Sequence, residues 1–172
     1  DPAAFDRVAH EMAPRLYRLA LRLTGRREDA EDLVQETFVR CLPALRNFEG
    51  RARVSTYLIR ALGNQWRNRL RTRRRSRLVP WLRTGPDGPV ELDPPSTGLR
   101  PDERLAADDR AEQIRAAVAR LEPTRRWTLL LREVEEMSYE QIAEVTDTAV
   151  GTVRSRLFRA RDDLRRILER EE

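Results

Sequence analysis

Lysine is absent from this 172-residue chain; all 34 basic residues are arginine. Every cation is therefore a planar, permanently charged guanidinium that can grip phosphate or guanine through two hydrogen bonds. Codon bias in a GC-rich genome accounts for the absence itself. A single cysteine, Cys41, excludes an internal disulfide, and the single histidine, His10, has no metal-ligand company. Aromatic residues make up only 6%. No apolar run approaches membrane-spanning length, and no secretory leader pattern opens the chain. No glycine-rich phosphate cradle or Ser/His/Asp set occurs. These absences argue against an enzyme, against a bound cofactor or metal, and for a cytoplasmic location. Charge, by contrast, is abundant: 37% of the residues carry it, with a net balance of +5. An anionic partner suits that balance.

Apolar periodicity is helical throughout. Phe5, Val8, Ala9 and Met12 share one face, which Leu16, Leu19, Ala20 and Leu23 continue. Pro14 lacks an amide hydrogen, so a break or kink is expected there, with Pro14 opening a second helix that Gly25 ends. Residues 27–42 read as the next helix, with an acidic first turn. Ala30, Leu33, Val34, Thr37, Phe38 and Cys41 face inward, and Asp32, Gln35 and Glu36 form a polar patch outside. Such a patch is most often a solvated face, and acid–base or metal chemistry lacks partners here. Pro43 is expected to close or bend this helix. Cys41 reads as a small buried hydrophobe.

Residues 46–54 read as a loop with Gly50 at its tip. Ser55 or Thr56 is the expected cap of a helix carrying Tyr57, Leu58, Ala61, Leu62, Trp66 and Leu70. Gly63 weakens its interior by roughly 1 kcal/mol against alanine. Arginines crowd its end, from Arg67 to Arg77. They suit a helix C-terminus or a solvated tail, and equally a surface that holds a strand backbone. Residues 79–101 lose periodicity and gather Pro80, Pro86, Pro89, Pro94, Pro95 and Pro101, which marks a linker with Trp81 as its one large aromatic. A C-terminal unit begins near Asp102. Leu105, Ile114, Ala117, Val118 and Leu121 mark one helix, Pro123 opens another, and Trp127, Leu130, Leu131 and Val134 give its face.

The last stretch, 137–166, reads as two helices joined by a sharp turn. Ser138 and Gln141 form a capping box before Tyr139, Ile142 and Ala143. After Thr146, Asp147 and Thr148, a longer helix places Val150, Val153, Leu157, Ala160, Leu164 and Ile167 along an apolar seam. Thr152, Ser155, Arg159 and Arg166 lie opposite it, flanked by Arg154 and Phe158. This is a helix-turn-helix pattern suited to the DNA major groove, although an ordinary hairpin with a solvated arginine face shares it.

Three segments also resemble one family. SYEQIAE at 138–144 with VGTVRSRLFRAR at 150–161 closely resembles the last DNA-binding segment of bacterial extracytoplasmic-function (ECF) sigma factors. AEDLVQETF at 30–38 resembles the segment with which that family docks on RNA polymerase, and STYLIRALGNQWRNRLR at 55–71 the segment that reads the melted minus-ten element. Asp147 and Ala149 stand where the family usually has Gly and Pro; Asp tolerates the left-handed conformation that the turn needs.

The resemblance implies an all-α chain. Sigma domain 2 occupies 1–78, a flexible linker 79–101, and sigma domain 4 with its helix-turn-helix 102–172. It implies core-polymerase contacts at Asp32, Leu33, Gln35 and Glu36; minus-ten contacts at Asn47, Phe48, Arg51, Ser55, Tyr57, Asn64, Arg67 and Asn68; and minus-thirty-five contacts at Thr152, Arg154, Ser155, Phe158, Arg159 and Arg161. The implied partners are core RNA polymerase (clamp of the largest subunit, flap of the second), promoter DNA and an anti-sigma factor. A helix-turn-helix regulator working without polymerase is the rival reading. A helical adaptor that binds a protein partner through its apolar seams is a third.

Overall fold

In a computed structural model, the described residues are 2–45, 51–77 and 101–170, with side chains described for 7–44, 54–75 and 109–170. They form seven helices: α1 Pro2–Thr24, α2 Arg27–Leu45, α3 Arg51–Arg77, α4 Pro101–Ala119, α5 Pro123–Glu133, α6 Tyr139–Thr146 and α7 Val150–Glu169. No strand occurs among the described residues. The chain divides into two compact units, the first built on α1–α3 and the second on α4, α5 and α7. Linker residues 79–100, with Trp81, and Asn47, Phe48 and Gly50 of the expected loop lie outside the described residues, whereas Pro101 begins α4.

In the first unit each helix packs on the other two. Its core joins Met12, Leu16, Leu19 and Leu23 of α1 to Leu33 and Cys41 of α2 and to Leu58, Ile59, Leu62 and Trp66 of α3. Gly25 closes α1 as expected: its φ is +70°, and its amide donates to the Leu21 carbonyl at 2.8 Å. Thr37 is wholly buried but satisfied, because its hydroxyl donates to the Leu33 carbonyl at 2.7 Å.

The structure departs from three local expectations: a helix break at Pro14, a helix end at Pro43, and a cap at Ser55 or Thr56. No break occurs at Pro14, which sits inside an uninterrupted α1. Proline in a helix interior costs about 3 kcal/mol. Pro14 and His10, whose carbonyl loses its amide partner, are both exposed, so the lost bond falls on the solvent side of the helix. The buried stripe opposite then holds the helix through. Pro43 does not close α2, which runs on to Leu45. Ser55 and Thr56 are not caps: α3 starts at Arg51, before them. Val54 explains the extra turn, since it is buried and extends the stripe of Leu58 and Leu62 by four residues.

In the C-terminal helices, α7 packs on α4 and α5. α5 is the centre of that core, with Trp127, Thr128, Leu129, Leu130 and Leu131 buried in succession. Trp127 is wholly buried. It removes about 150–250 Å² from water, about 4–6 kcal/mol at 25 cal/mol per Å². Pro123 opens α5 behind an N-cap Glu122, whose carboxylate accepts from the Arg125 amide at 3.1 Å and the Thr124 hydroxyl at 2.9 Å. Burial alone would raise the Glu122 pKa; the bonds from Thr124 and Arg125 outweigh it and hold the carboxyl below its usual value. Arg125 pairs with Asp163, and Glu133 with Arg161 at 2.8 Å. The two ends of α5 thus reach residues only two apart on α7, so α7 crosses α5 rather than running along it. These part-exposed pairs contribute about 0–1 kcal/mol each and set orientation more than stability. Ile114, expected in the α4 face, is exposed, whereas Ala117 and Leu121 are buried.

Candidate docking and nucleic-acid interfaces

On α2, Asp32 and Gln35 stand exposed above a wholly buried Leu33. Glu36 does not stand with them. Its Oε2 accepts from Arg69 Nη2 at 2.9 Å and Nε at 3.2 Å, and its Oε1 faces Arg40 Nη2 at 2.8 Å. Arg69 also donates to the Asp29 carbonyl at 3.2 Å, and Arg73 to the Asp29 carboxylate at 3.1 Å. The hydrogen bond from Arg69, with its charge and that of Arg40, outweighs desolvation and lowers the Glu36 pKa. Glu36 therefore fastens α2 to α3.

A depressed carboxyl pKa adds stability above the unfolded value and loses it as pH falls through the folded value. Glu36→Gln is expected to destabilise the α1–α3 unit at neutral pH and to flatten its acid limb below the usual glutamate range. Thermal melts between neutral and acid pH check this. An unchanged acid limb would remove the bridge from the stability of this unit.

Sequence reasoning missed Val39, which is 71% exposed, and Leu42, at 37%. At about 100° per residue, Val39 falls between Asp32 and Gln35 on the outer face. The patch is polar at one end and apolar at the other. The seven-residue spacing from Asp32 was the available signal.

On α3, Asn64 and Asn68 are exposed and Arg67 is half-buried. Arg67 Nη2 donates to Asn64 Oδ1 at 2.5 Å, and its Nε donates to the Gly63 carbonyl at 3.3 Å. Tyr57 falls on the same side, half-buried and hydrogen-bonded to the Cys41 thiol. Burial raises both pKa values. Ser55 lies about 160–180° around the helix from Tyr57 and Asn64, so it does not join them. Arg51 starts α3, with its side chain outside the described set.

On α7, Val153, Leu157 and Ala160 are buried, while Val150, Leu164 and Ile167 are only half-buried. Arg154, Ser155 and Arg159 are exposed, as is Phe158 at 73%. Thr152 is half-buried, and its carbonyl accepts from the Ser155 hydroxyl at 3.0 Å. Arg161 is exposed but engaged by a neighbouring helix. Its bond to Glu133 and a second to Tyr139 raise its pKa against the opposing effect of desolvation. Beside this face a groove of about 620 Å³ is lined by residues that include Tyr139, Arg154 and Phe158.

Local chemistry aims α7. The capping box forms: Gln141 Oε1 accepts from the Ser138 amide at 2.8 Å, and Ser138 Oγ from the Gln141 amide at 3.2 Å. Asp147 takes φ +53°. The Thr148 amide reaches the Ala143 carbonyl at 3.1 Å and the Asp147 amide the Glu144 carbonyl at 3.4 Å. This is a Schellman ending with Asp in the place glycine usually holds. Glu136 also has a positive φ, +53°, which nothing in the sequence pattern signals.

Residues 8–76 match the family description Sigma-70 region 2, and residues 111–164 match Sigma-70, region 4. The RNA polymerase sigma-H factor of Pseudomonas aeruginosa is 33% identical, covering 98% of this chain and 88% of that protein. This chain belongs to the ECF family of RNA polymerase sigma factors. The ECF sigma factor SigE of Mycolicibacterium smegmatis is 36% identical over 94% of this chain, which spans 60% of that protein's length. Among solved structures, the sigma factor RpoE of Bartonella quintana, crystallised with the anti-sigma factor NepR, gives a TM-score of 0.74 at 24% identity, covering 96% of this chain and 97% of that one. CnrH, in complex with the cytosolic domain of CnrY, gives 0.67 at 24% identity, covering 100% and 92%. At that identity the likeness is one of fold. Among the described residues of this sigma factor, no helix is long and apolar enough to cross a membrane, and no acidic, His or Cys cluster could hold a metal ion.

Proposed function

We propose that this sigma factor binds core RNA polymerase through the outer face of α2 and directs it to promoters. On this reading Asp32 and Gln35 meet basic residues of the polymerase clamp, Leu33 supports them from below, and Glu36 acts through α3. The segment from about Asn47 to Ser55, with Tyr57, captures a flipped base of the minus-ten strand, and Asn64, Arg67 and Asn68 hold that strand or the adjoining duplex. Arg154, Ser155, Phe158 and Arg159 read the minus-thirty-five duplex, with Thr152 and Arg161 on its backbone. Residues 1–78 and 102–172 are the two working units and 79–101 the tether. The chain acts in the cytoplasm and performs no covalent chemistry; it converts binding energy into promoter choice and strand separation. An anti-sigma factor, a partner of the kind crystallised with RpoE, restrains it by covering these faces.

The observation that carries this reading is the outer face of α7. Two arginines, a serine and an exposed phenylalanine line one side of a helix whose other side is buried. Arg donates two bonds to guanine, Ser bonds base edges or phosphates, and Phe meets a thymine methyl. Run-off transcription with purified core polymerase tests the proposal, together with co-elution of chain and core. Stoichiometric co-elution and promoter-dependent transcripts are expected. A chain that binds duplex DNA but neither co-elutes nor initiates is a regulator of the rival kind.

A further inference from the structure

The arginines at the end of α3 look uniform in the sequence but divide into two groups in the structure. Arg69 and Arg73 point to α2, where Glu36 and Asp29 neutralise them. Arg71, Arg74 and Arg75 are exposed and make no ion pair among the described residues. At about 100° per residue, Arg71 and Arg75 fall within about 40° of each other, on the same side as Asn64 and Asn68. They lie about 120–160° from Arg69 and Arg73. Arg74 flanks this row on the side of Arg67. One side of α3 is therefore amide-bearing near its middle and purely cationic toward its end.

We propose that Arg71 and Arg75 hold the phosphate backbone of promoter duplex next to the minus-ten element, while Arg69 and Arg73 are structural and touch no DNA. The proposal rests on the minus-ten reading of α3. Three physical points support it. The row continues the amide face without interruption, so a strand held at Asn64 and Asn68 passes next to Arg71 and Arg75. Four residues of helix rise about 6 Å, close to two nucleotide steps of about 3.4 Å on one strand. Exposed guanidiniums without carboxylate partners lose no ion pair when they bind phosphate, whereas Arg69 and Arg73 would have to leave Glu36 and Asp29. Among the described residues no hydrogen bond or ion pair fixes Arg71 or Arg75 as a rigid frame for reading bases, so their contribution is independent of base sequence.

The test uses the full chain bound to core polymerase. Promoter affinity is measured between 50 and 200 mM salt for the wild type, Arg71→Gln with Arg75→Gln, and Asn64→Ala with Asn68→Ala. Losing two phosphate contacts should shrink the salt-induced fall in affinity by about twelvefold over that range. Core binding, melting temperature and preference among minus-ten variants should stay unchanged for the arginine pair. The asparagine pair should shift that preference and leave the salt slope alone. An unchanged slope for the arginine variant, or an altered base preference, overturns the assignment while leaving the minus-ten role of α3 standing. Wild-type protein that binds no promoter with core overturns both.

Discussion

Asp32→Arg combined with Gln35→Arg is expected to abolish stable binding to core polymerase while the helices persist. Both side chains are exposed, so the fold loses no buried contact. Reversing the charge at Asp32 and adding one at Gln35 places two guanidiniums where a basic partner surface must approach. A loss of about 2–5 kcal/mol follows, roughly 30- to 4,000-fold in affinity. Titration of labelled protein with core measures it, and circular dichroism checks the fold. Retained affinity would take Asp32 and Gln35 out of the interface. Glu36 is the wrong residue for this purpose. Glu36→Arg would put a cation against Arg69 and Arg40, so lost binding could reflect a displaced α3. Val39→Glu is the better companion, since it alters the apolar end of the patch without touching the core.

Arg154→Ala with Arg159→Ala should cost the upstream element about 2–6 kcal/mol, at about 1–3 kcal/mol for each base contact if the two add. The signature is a change in discrimination. Each single variant should lose preference at its own base pair and keep it elsewhere. Binding to a set of single-substitution promoters, at one fixed salt concentration, reads this out. A uniform loss across all sequences would make the two arginines backbone contacts. Arg161→Ala should behave differently, because its guanidinium is engaged by Glu133 and Tyr139. It should weaken the α5–α7 crossing by about 0–1 kcal/mol, lower affinity for every promoter alike through its lost backbone contact, and leave base preference alone.

The helix-turn-helix was legible almost to the residue because its determinants are local. A capping box and a left-handed C-terminal residue each act within four residues, and the α7 seam repeats at helical spacing. Where reading failed, tertiary packing overrode a local rule. Pro14 should break a helix, yet the missing bond falls on the solvent side while the buried side holds. Ser55 looks like a cap, yet Val54 carries the apolar stripe one turn earlier. Ile114 fits the α4 periodicity and is exposed all the same. The division of the α3 arginines was illegible for another reason. Glu36 and Arg69 are 33 residues apart, and no pattern within either helix shows which guanidinium meets which carboxylate.

Cys41 gives the α1–α3 unit a reporter of its own. It is the chain's sole thiol, 2% exposed, with its pKa raised by burial. An alkylating reagent can react with it only in molecules whose helices have transiently parted, and then only through the thiolate. The rate of labelling therefore gauges the opening equilibrium of that half of the molecule without a tag or engineered probe. Any macromolecule that clasps those helices should register as a slower clock.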